Sequence, residues 1–340
     1  MKKARVVVLF DTDDAPPANQ DFSKHVESVD EAEFDVARAL IARGHEVRCL
    51  GFRDDLDQLV AGLKAQPCDM VFNLSERFRG KSSLDYTVVA ILEMLGIPFT
   101  GASTEGLILA RDKALTKKVL AYHGILIPHF MVCPIGQPIQ RPSDLRFPLI
   151  VKPQDEDASV GIAQSSVVRD DDALNSRIQF IHEKIDTDAI VEEFIEGREL
   201  YVGVIGNERP KALPPIEMVF KNEPNVEGRI ATFKAKWSLK YRESRGIENM
   251  VAQDLSKSLI QRLSDVAVRT YRAAGLRDYG RIDVRLAHDE AIYVVEANPN
   301  PYLADGEDLA WAAEVAGYPY QDLIEKLAEM TMGRARKNGS

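Results

Sequence analysis

The sequence has 340 residues, of which 45% are hydrophobic, and a formal net charge of −10. This length predicts two or three domains with full hydrophobic cores. The acidic balance argues against nucleic acid or an anionic membrane as the main partner. No apolar run approaches the roughly 18 residues of a membrane-spanning helix, and the N-terminus does not resemble a signal peptide. Three cysteines without CxxC spacing favour a reducing, cytoplasmic location without disulfides.

The first part of the chain alternates strand-like runs with a helical pattern. Strands are predicted at 4–10, 46–52 and 69–74, and a helix at about 30–43 that ends before Gly44. Continuous apolar strands separated by helices are typical of a small parallel sheet covered on both faces. The carboxyl ends of such strands are where ligands bind, so we expect one wall of a cleft there.

The remainder of the chain mixes helices with shorter strands. The predicted elements are a helix between Asp112 and Gly124, a strand at 147–152, a helix at 171–184, strands at 190–194 and 199–205, a helix at 255–274, a hairpin of 280–286 and 291–297, and helices at 309–316 and 320–331. The basic tail Arg334–Lys337 is interpreted as a frayed, solvated terminus rather than an anchor.

The predicted hairpin carries the most informative pattern. Side chains alternate across a strand, so Arg281 and Asp283 share one face of the first strand, and Glu296 and Asn298 share one face of the second. If the two faces lie on the same side, two carboxylates and an amide oxygen converge. Such hard oxygen ligands suit Mg²⁺, and Arg281 would lie beside the metal. The alternative is a solvated polar face of the hairpin.

Two lysines and two segments fit a nucleotide. Lys152 ends an apolar strand, where a charge is costly unless it meets an anion, and Lys113 lies in the first turn of a capped helix. The polar loop 153–161 could fold over phosphates. The segment 191–199 offers an extended backbone for an adenine edge and a carboxylate for ribose. Neither a Walker lysine motif nor GxGxxG occurs, which argues against P-loop enzymes and Rossmann dehydrogenases.

These motifs, in this order, closely resemble the D-alanine–D-alanine ligase family of the ATP-grasp superfamily, over nearly the whole chain. The segments that carry the resemblance are Leu92–Gly101, Phe147–Pro153 with Ser159–Gly161, Glu192–Glu199, and Gly280–Val284 with Val295–Asn298.

The resemblance implies a mixed α/β and α+β fold in three parts. A Rossmann-like preATP-grasp domain would span residues 1–103, followed by two ATP-grasp subdomains over 104–187 and 188–335. The first subdomain would hold the phosphate loop and the second the metal and catalytic core. The implied activity joins a small carboxylate to a small amine through an acyl phosphate. ATP with Mg²⁺, or alternatively Mn²⁺, would be the cofactors, and a homodimer is the implied assembly.

The resemblance also implies roles for individual residues. The implied nucleotide ligands are Lys113, Lys152, Glu192, Glu193, Phe194, Ile195, Glu199 and Lys236. The implied metal ligands, for two Mg²⁺ ions, are Asp283, Glu296 and Asn298. The implied catalytic residues are Arg281, Lys236 and Ser159.

The substrate end departs from the family pattern. Ala158 and Asp157 replace residues that are usually serine and glycine in the phosphate loop, and Trp237 replaces the tyrosine after Lys236. The residue that holds the amine of the first substrate is either Glu27 or Glu31.

The residues expected to contact the amine acceptor differ most from the family pattern. Glu307 stands where the family places a serine that receives the acceptor's carboxylate, and Asp305 lies beside it. A carboxylate facing a carboxylate is unfavourable, so we expect the pocket to reject D-alanine and to accept a cationic amine such as a basic amino acid or polyamine. The alternatives are that these are solvated loop acids, that the chain is a true D-alanine–D-alanine ligase, or that it is a nucleotide-binding regulator without turnover.

Overall fold

The computed structural model describes residues 3–12, 23–26, 31–155, 161–222 and 230–338. Within these residues the strands form three sheets, one parallel and two antiparallel. None of the helices in these ranges is long and apolar enough to cross a membrane.

The N-terminal part contains the parallel sheet that the sequence predicts. Its elements are β1 (Arg5–Asp11), α1 (Ala32–Ala42), β2 (Glu46–Phe52), α2 (Leu56–Lys64), β3 (Met70–Asn73) and α3 (Asp85–Met94). The strand order is β2-β1-β3, with all pairs parallel. Five consecutive buried residues in β1 show that both faces of the sheet are covered. Helix α1 ends just before Gly44, whose φ of 86° is a conformation that glycine adopts without strain.

The central part is built around a four-stranded antiparallel sheet. Its elements are α4 (Thr104–Arg111), α5 (Lys113–Tyr122), β4 (Phe130–Cys133), β5 (Leu149–Pro153), β6 (Val167–Val168), α6 (Asp171–Lys184) and β7 (Ala189–Glu193). The strand order is β4-β7-β5-β6. Because β7 pairs with both β4 and β5, the predicted boundary between 187 and 188 would separate this strand from its sheet. The sheet topology favours a boundary after Glu193.

The last part contains the largest sheet and the predicted hairpin. Its elements are β8 (Gly197–Ile205), β9 (Lys211–Ala212), β10 (Ile216–Phe220), α7 (Phe233–Trp237), α8 (Leu239–Arg245), β11 (Ile247–Val251), α9 (Lys257–Ala273), β12 (Tyr279–Ala287), β13 (Ile292–Asn298), α10 (Asp308–Val315) and α11 (Tyr320–Asn338). The order is β11-β10-β8-β12-β13, and β9 pairs with β8. The hairpin is therefore joined to β8 and is not a solvated ribbon; Asp283 is only 2% exposed.

The C-terminal tail differs from its interpretation as a frayed terminus. Helix α11 continues through it, and Arg334 lies on the side of the helix that packs inward. Its guanidinium donates to the fully buried carboxylate of Asp278 and to the carbonyl oxygen of Phe99. The Asp278 carboxylate also accepts from the backbone N–H of Gly101 at 3.0 Å. Arg334 thus ties the end of the N-terminal part to the start of β12, and the earlier interpretation is wrong for this residue.

Candidate active site

Ten of the residues predicted to bind nucleotide or metal line a single pocket between the central sheet and the largest sheet, which we call the lysine-lined pocket. They are Lys113, Lys152, Glu192, Glu193, Phe194, Ile195, Glu199, Lys236, Asp283 and Glu296. These residues come from α5, β5, β7, the β7–β8 connection, β8, α7, β12 and β13, so the fold and not the local sequence brings them together.

One end of the lysine-lined pocket is apolar. Ile150 of β5, Phe194 after β7 and Ile230 pack together as a small separate cluster, each less than 10% exposed. A slot between aliphatic and aromatic side chains is the usual surround for a flat heterocycle, with specificity left to a few polar groups.

The backbone beside this slot supplies those polar groups. The N–H of Glu193 donates to the carbonyl of His129 at 2.9 Å, which ties the segment to the neighbouring strand. Within the described residues, the carbonyl of Glu193 and the N–H of Ile195 make no hydrogen bond. The pocket edge therefore presents one acceptor and one donor, two residues apart. Buried backbone groups are normally paired, so this edge is suited to a polar ligand.

Glu199 on β8 lies further along the same wall. Its Oε2 accepts from Arg285 Nη2 at 3.0 Å, and its Oε1 accepts from the hydroxyl of Tyr201 at 3.1 Å. The Arg285 guanidinium lies 5.3 Å from the centroid of the Phe194 ring. These two contacts fix the orientation of the Glu199 carboxylate. Each of its oxygens can still accept a second hydrogen bond, for example from a ligand.

Two lysines share the buried carboxylate of Glu192. Its Oε2 is 3.0 Å from Lys152 Nζ, and its Oε1 is 3.4 Å from Lys117 Nζ, which also donates to the carbonyl of Val295 at 3.3 Å. Burial alone would raise the pKa of Glu192, but the two ammonium groups outweigh it and lower that pKa. Lys152 lines the pocket, whereas Lys117 lies behind it with a 2% exposed side chain.

Sequence reasoning missed Lys117. It lies four residues after Lys113 on α5, so the two side chains share one face of the helix. That spacing was the available signal. Surface lysines are common on helices, however, and only the pairing with Glu192 on β7 distinguishes this one.

The strands β12 and β13 place the predicted metal ligands side by side. Asp283 pairs directly with Glu296, and Arg281 pairs with Asn298. The two faces therefore coincide, as the sequence analysis required. The guanidinium of Arg281 binds Asp283 through two hydrogen bonds of 2.7 and 2.9 Å. Burial raises the pKa of Asp283 even so, although Arg281 acts in the opposite direction.

Glu296 is placed differently from Asp283. Burial raises its pKa, but the nearby cations Lys113, Lys236 and Arg281 act more strongly, so the net shift is downward. Within the described residues its carboxylate makes no hydrogen bond or ion pair. An ionised carboxylate without a close partner, beside a second carboxylate and an amide, suits a hard divalent cation completed by water and phosphate oxygens. The donor chemistry thus fits Mg²⁺, although no group of three His, Cys, Asp or Glu side chains in these ranges forms an all-protein cage.

A large cleft of about 1100 Å³ opens from the lysine-lined pocket and shares Lys236 and Glu296 with it. We call it the large cleft. Its inner wall includes Arg281 and Asn298, and its far side reaches Glu76 in the N-terminal part. A cavity of this size is at the upper end of the range for small-molecule sites and has room for two substrates beside a nucleotide.

Glu307 and Trp237 line the large cleft. Glu307 is the residue that precedes α10, and its side chain makes no capping bond to that helix. Partial burial and the neighbouring Asp308 raise the pKa of Glu307, with Arg242 and Arg281 acting in the opposite direction. The Trp237 side chain is about half exposed.

Two other predicted substrate residues, Asp305 and Glu31, are described by the structure and do not line the large cleft. Asp305 is exposed, and its backbone N–H donates to Asp35 Oδ2 at 3.1 Å. Glu31 is the exposed residue that precedes α1. Glu27 and Ser159 lie outside the described residues.

The cleft also contains an ion pair that the sequence did not indicate. Arg111 Nη2 lies 2.5 Å from Asp85 Oδ2, and both side chains are nearly buried at 11% and 4% exposure. The partners come from α3 and α4 and are separated by 26 positions in the chain, so no local pattern could predict the contact.

Comparison with known proteins gives the family. The model described as "D-ala D-ala ligase C-terminus" matches residues 126–329, which is more than half of the chain. An uncharacterised protein of Sinorhizobium fredii is 33% identical over 89% of this chain and 88% of its own length. A D-alanine–D-alanine ligase of Desulforudis audaxviator is 31% identical over 88% of this chain and 92% of its own length.

The solved structures agree on the fold. The D-alanine–D-alanine ligase of Bacillus anthracis complexed with ATP has a TM-score of 0.76 at 22% identity, over 99% of this chain and 100% of that chain. This confirms the predicted ATP-grasp fold. Since the family model and the curated relatives each span most of the catalytic part, the chain belongs to the D-alanine–D-alanine ligase family of the ATP-grasp superfamily, whose members are ATP-dependent ligases that form carbon–nitrogen bonds.

Proposed function

We propose that this protein joins a carboxylate to an amine through an acyl phosphate formed from ATP, and that its amine acceptor is a cationic molecule and not D-alanine. The observation that carries the acceptor part is the carboxylate of Glu307. It lies on the wall of the cleft that contains Arg281 and Glu296, and it makes no hydrogen bond or ion pair within the described residues.

The lysine-lined pocket is the proposed nucleotide site. The apolar slot would take the adenine ring between Ile150 and Phe194. The carbonyl of Glu193 would accept from the adenine amino group, and the N–H of Ile195 would donate to the adjacent ring nitrogen. These two backbone groups have the donor and acceptor order that this edge of adenine requires. Glu199 would accept from the ribose hydroxyls.

Three cationic side chains line the lysine-lined pocket and are proposed to bind the phosphates. Lys113, Lys152 and Lys236 would each bind phosphate oxygens. Asp283, Glu296 and Asn298 would hold Mg²⁺, which supplies charge neutralisation as the γ-phosphoryl group moves. A carboxylate substrate attacks the γ-phosphorus, ADP leaves, and the resulting acyl phosphate is a much better acylating agent than the free acid.

Arg281 is proposed to stabilise the second step. The amine attacks the acyl carbon, negative charge develops on the carbonyl oxygen, and inorganic phosphate leaves. The guanidinium is held by Asp283 and rests on the ring of Tyr201, with 4.8 Å between its central carbon and the ring centroid. A cation fixed before the reaction stabilises developing charge without reorganisation during it.

The acceptor proposal follows from which charges near Glu307 already have partners. Arg242 donates to the carbonyl of Ala235 at 2.8 Å and to Asn249 at 3.2 Å, and Arg281 binds Asp283. Neither guanidinium pairs with Glu307. The Glu307 side chain is solvent-exposed on the cleft wall, and a carboxylate there attracts a cation that comes close, which the acceptor would bring.

Aromatic side chains add to this preference. Trp237 and Tyr302 line the same cleft, and their ring centroids are 6.5 Å apart in an edge-to-face arrangement. Aromatic faces attract ammonium and guanidinium groups, especially where a carboxylate is close. By contrast, an acceptor carboxylate here would meet Glu307 and Asp308 with like charge.

A substrate screen tests the proposal. The purified chain is incubated with ATP, Mg²⁺ and pairs of amino acids, and phosphate release and product masses are recorded. We expect release only when a carboxylate donor is combined with a cationic acceptor such as lysine, ornithine or a polyamine. Robust synthesis of D-alanyl-D-alanine would reject the acceptor proposal while leaving the ligase assignment. Nucleotide binding without turnover across the whole screen would instead favour a regulatory protein.

Three expectations about the metal, the assembly and the location of the protein remain predictions. These are the use of Mn²⁺ in place of Mg²⁺, assembly as a homodimer and a cytoplasmic location. The first is measured in the same phosphate-release assay, and the second by light scattering of the purified chain.

A further inference from the structure

A second cavity lies outside the candidate active site, between the β8–β9 turn and α11. It has a volume of about 440 Å³ and shares no lining residue with the lysine-lined pocket or the large cleft. The turn contributes Gly206 to Arg209, and α11 contributes Lys326, Met330 and Arg334 among others. We call it the α11 cavity. Its volume falls within the range of pockets that bind small organic ligands.

The α11 cavity is strongly basic although the chain as a whole carries a net charge of −10. Its basic lining residues are Arg209, Lys211, Lys326, Arg334 and Lys337, and its one acidic lining residue is Glu208. Such a concentration of one sign in a concave site raises the local concentration of oppositely charged ligands.

Internal ion pairs account for only part of this charge. Lys337 pairs with Glu208, and Arg334 pairs with the buried Asp278. By contrast, Arg209, Lys211 and Lys326 form no ion pair within the described residues. Three cations around one cavity therefore form no close ion pair, although Arg209 lies near enough to Glu208 to help lower the pKa of that carboxyl group. Since Arg209 and Lys211 are exposed, an anion in the cavity can approach all three cations.

The body of the cavity is less polar than its rim. Tyr318 and Met330 contribute apolar surface, and the ammonium of Lys326 lies 5.2 Å from the centroid of the Tyr318 ring. This contact places the charge over an aromatic wall. Gly333 leaves one side open, since a Cβ built there has no atom within 4 Å.

We infer that the α11 cavity is a binding site for a small organic anion with an apolar or aromatic portion. The anionic group would lie among Arg209, Lys211 and Lys326, and the apolar portion would lie against Tyr318 and Met330. A polyanion such as nucleic acid is disfavoured, because it requires an extended basic surface and not one confined cavity in an acidic chain.

Two fluorescent probes test this inference on the full chain. The first, 1-anilinonaphthalene-8-sulfonate, is an aromatic anion, and the second, N-phenyl-1-naphthylamine, has nearly the same aromatic body without charge. Each is titrated into the unmodified protein, into the double variant Arg209→Glu with Lys326→Glu, and into the control Lys64→Glu with Lys184→Glu. The control makes the same change in net charge at two exposed lysines that do not line the α11 cavity.

We expect the anionic probe to bind the unmodified protein and the control equally, and at least about tenfold more weakly to the cavity variant. The neutral probe should bind all three alike. A third variant, Gly333→Phe, should block both probes by filling the cavity with its charges intact. A Cβ at position 333 meets no atom within 4 Å, and replacing glycine favours the helix; a melting curve checks that each variant is folded.

Three results would overturn the inference. One is no binding of the anionic probe to the unmodified chain. Another is an equal loss of affinity in the cavity variant and the control, because the effect would then be one of total charge. The last is unchanged binding of the anionic probe in Gly333→Phe, because the probe would then lie elsewhere.

Discussion

The lysine-lined pocket and the large cleft share Lys236 and Glu296 but differ in how their charges are paired. In the pocket, Glu192 and Glu199 each bind a basic side chain, at 3.0 Å in both cases, whereas the shared Glu296 makes no ion pair with the described residues. In the cleft, Glu307 has no such partner in the described part of the chain. A site whose carboxylates are held internally is preorganised for a ligand that recognises the surrounding groups. A site with an unpaired carboxylate is suited to a ligand that brings the opposite charge.

The largest expected effect comes from Glu296, which belongs to both regions. We expect Glu296→Gln to lower the rate of ATP-dependent phosphate release at least about 100-fold, because it removes the ionised ligand on which metal binding depends. Folding should be little affected, since the side chain has no hydrogen bond or ion pair to lose among the residues that the structure describes. Steady-state kinetics with a melting curve measures both.

The control for this prediction is Glu290→Gln. Glu290 lies in the turn of the same hairpin and pairs with Arg262 at the surface, at 3.2 Å. This variant should retain full activity, as surface pairs contribute little. Activity of Glu296→Gln close to that of the control would contradict the metal assignment.

The two lysines on Glu192 give the next largest effect and separate ligand binding from folding. We expect Lys152→Ala to weaken nucleotide binding by about 1–3 kcal/mol, the range for a charge-assisted hydrogen bond. We expect Lys117→Met to lower the free energy of unfolding by roughly 3 kcal/mol, the lower end of the range for a broken buried ion pair, because Lys152 remains beside Glu192. Calorimetry with a nucleotide and denaturant unfolding measure the two quantities.

The two variants should differ in the property that each one loses: nucleotide affinity in Lys152→Ala and stability in Lys117→Met. An unchanged nucleotide affinity in Lys152→Ala would show that this lysine serves only Glu192. A loss of nucleotide affinity in Lys117→Met, without a loss of stability, would show that the buried lysine has been assigned the wrong role.

The smallest effect is expected at Trp237. Trp237→Ala should raise the KM of the acceptor about fivefold, which corresponds to about 1 kcal/mol for a partly exposed cation–π contact, and leave the KM of ATP unchanged. Trp237→Phe should restore most of the affinity because it keeps an aromatic face. A KM for ATP that rises as much as that for the acceptor would instead place Trp237 at the nucleotide.

Local chemistry explains which elements the sequence predicted well. Helix α6 has the predicted bounds because Asp170 caps it, accepting from the N–H of Ala173 at 2.8 Å. The hairpin of β12 and β13 was predicted because polar and apolar residues alternate along both strands. The period of two grouped Arg281 with Asp283 and Glu296 with Asn298, but only the register of the two strands shows that the pairs lie side by side.

The errors come from contacts between distant parts of the chain. The strand β7 was correctly predicted as a strand, but its partners β4 and β5 could not be identified from spacing. The short strands β10 and β11 were missed, because the stretch between β9 and α9 is rich in residues that weaken strand propensity. Arg334 was misread because its partner Asp278 precedes it by 56 positions.

The central claim is that Glu307 selects a cationic acceptor, and the substitution Glu307→Ser tests it most directly. The measured quantity is the ratio of kcat/KM for a cationic acceptor to that for D-alanine, in the unmodified protein and in the variant. We predict that the unmodified protein strongly prefers the cationic acceptor and that the substitution lowers the ratio at least about tenfold, the loss expected for a charge-assisted contact. The preference of the unmodified protein should also weaken as pH falls through the raised pKa of Glu307, because protonation removes the charge that attracts the acceptor. A ratio that is unchanged by the substitution, or that favours D-alanine in the unmodified protein, would contradict the account.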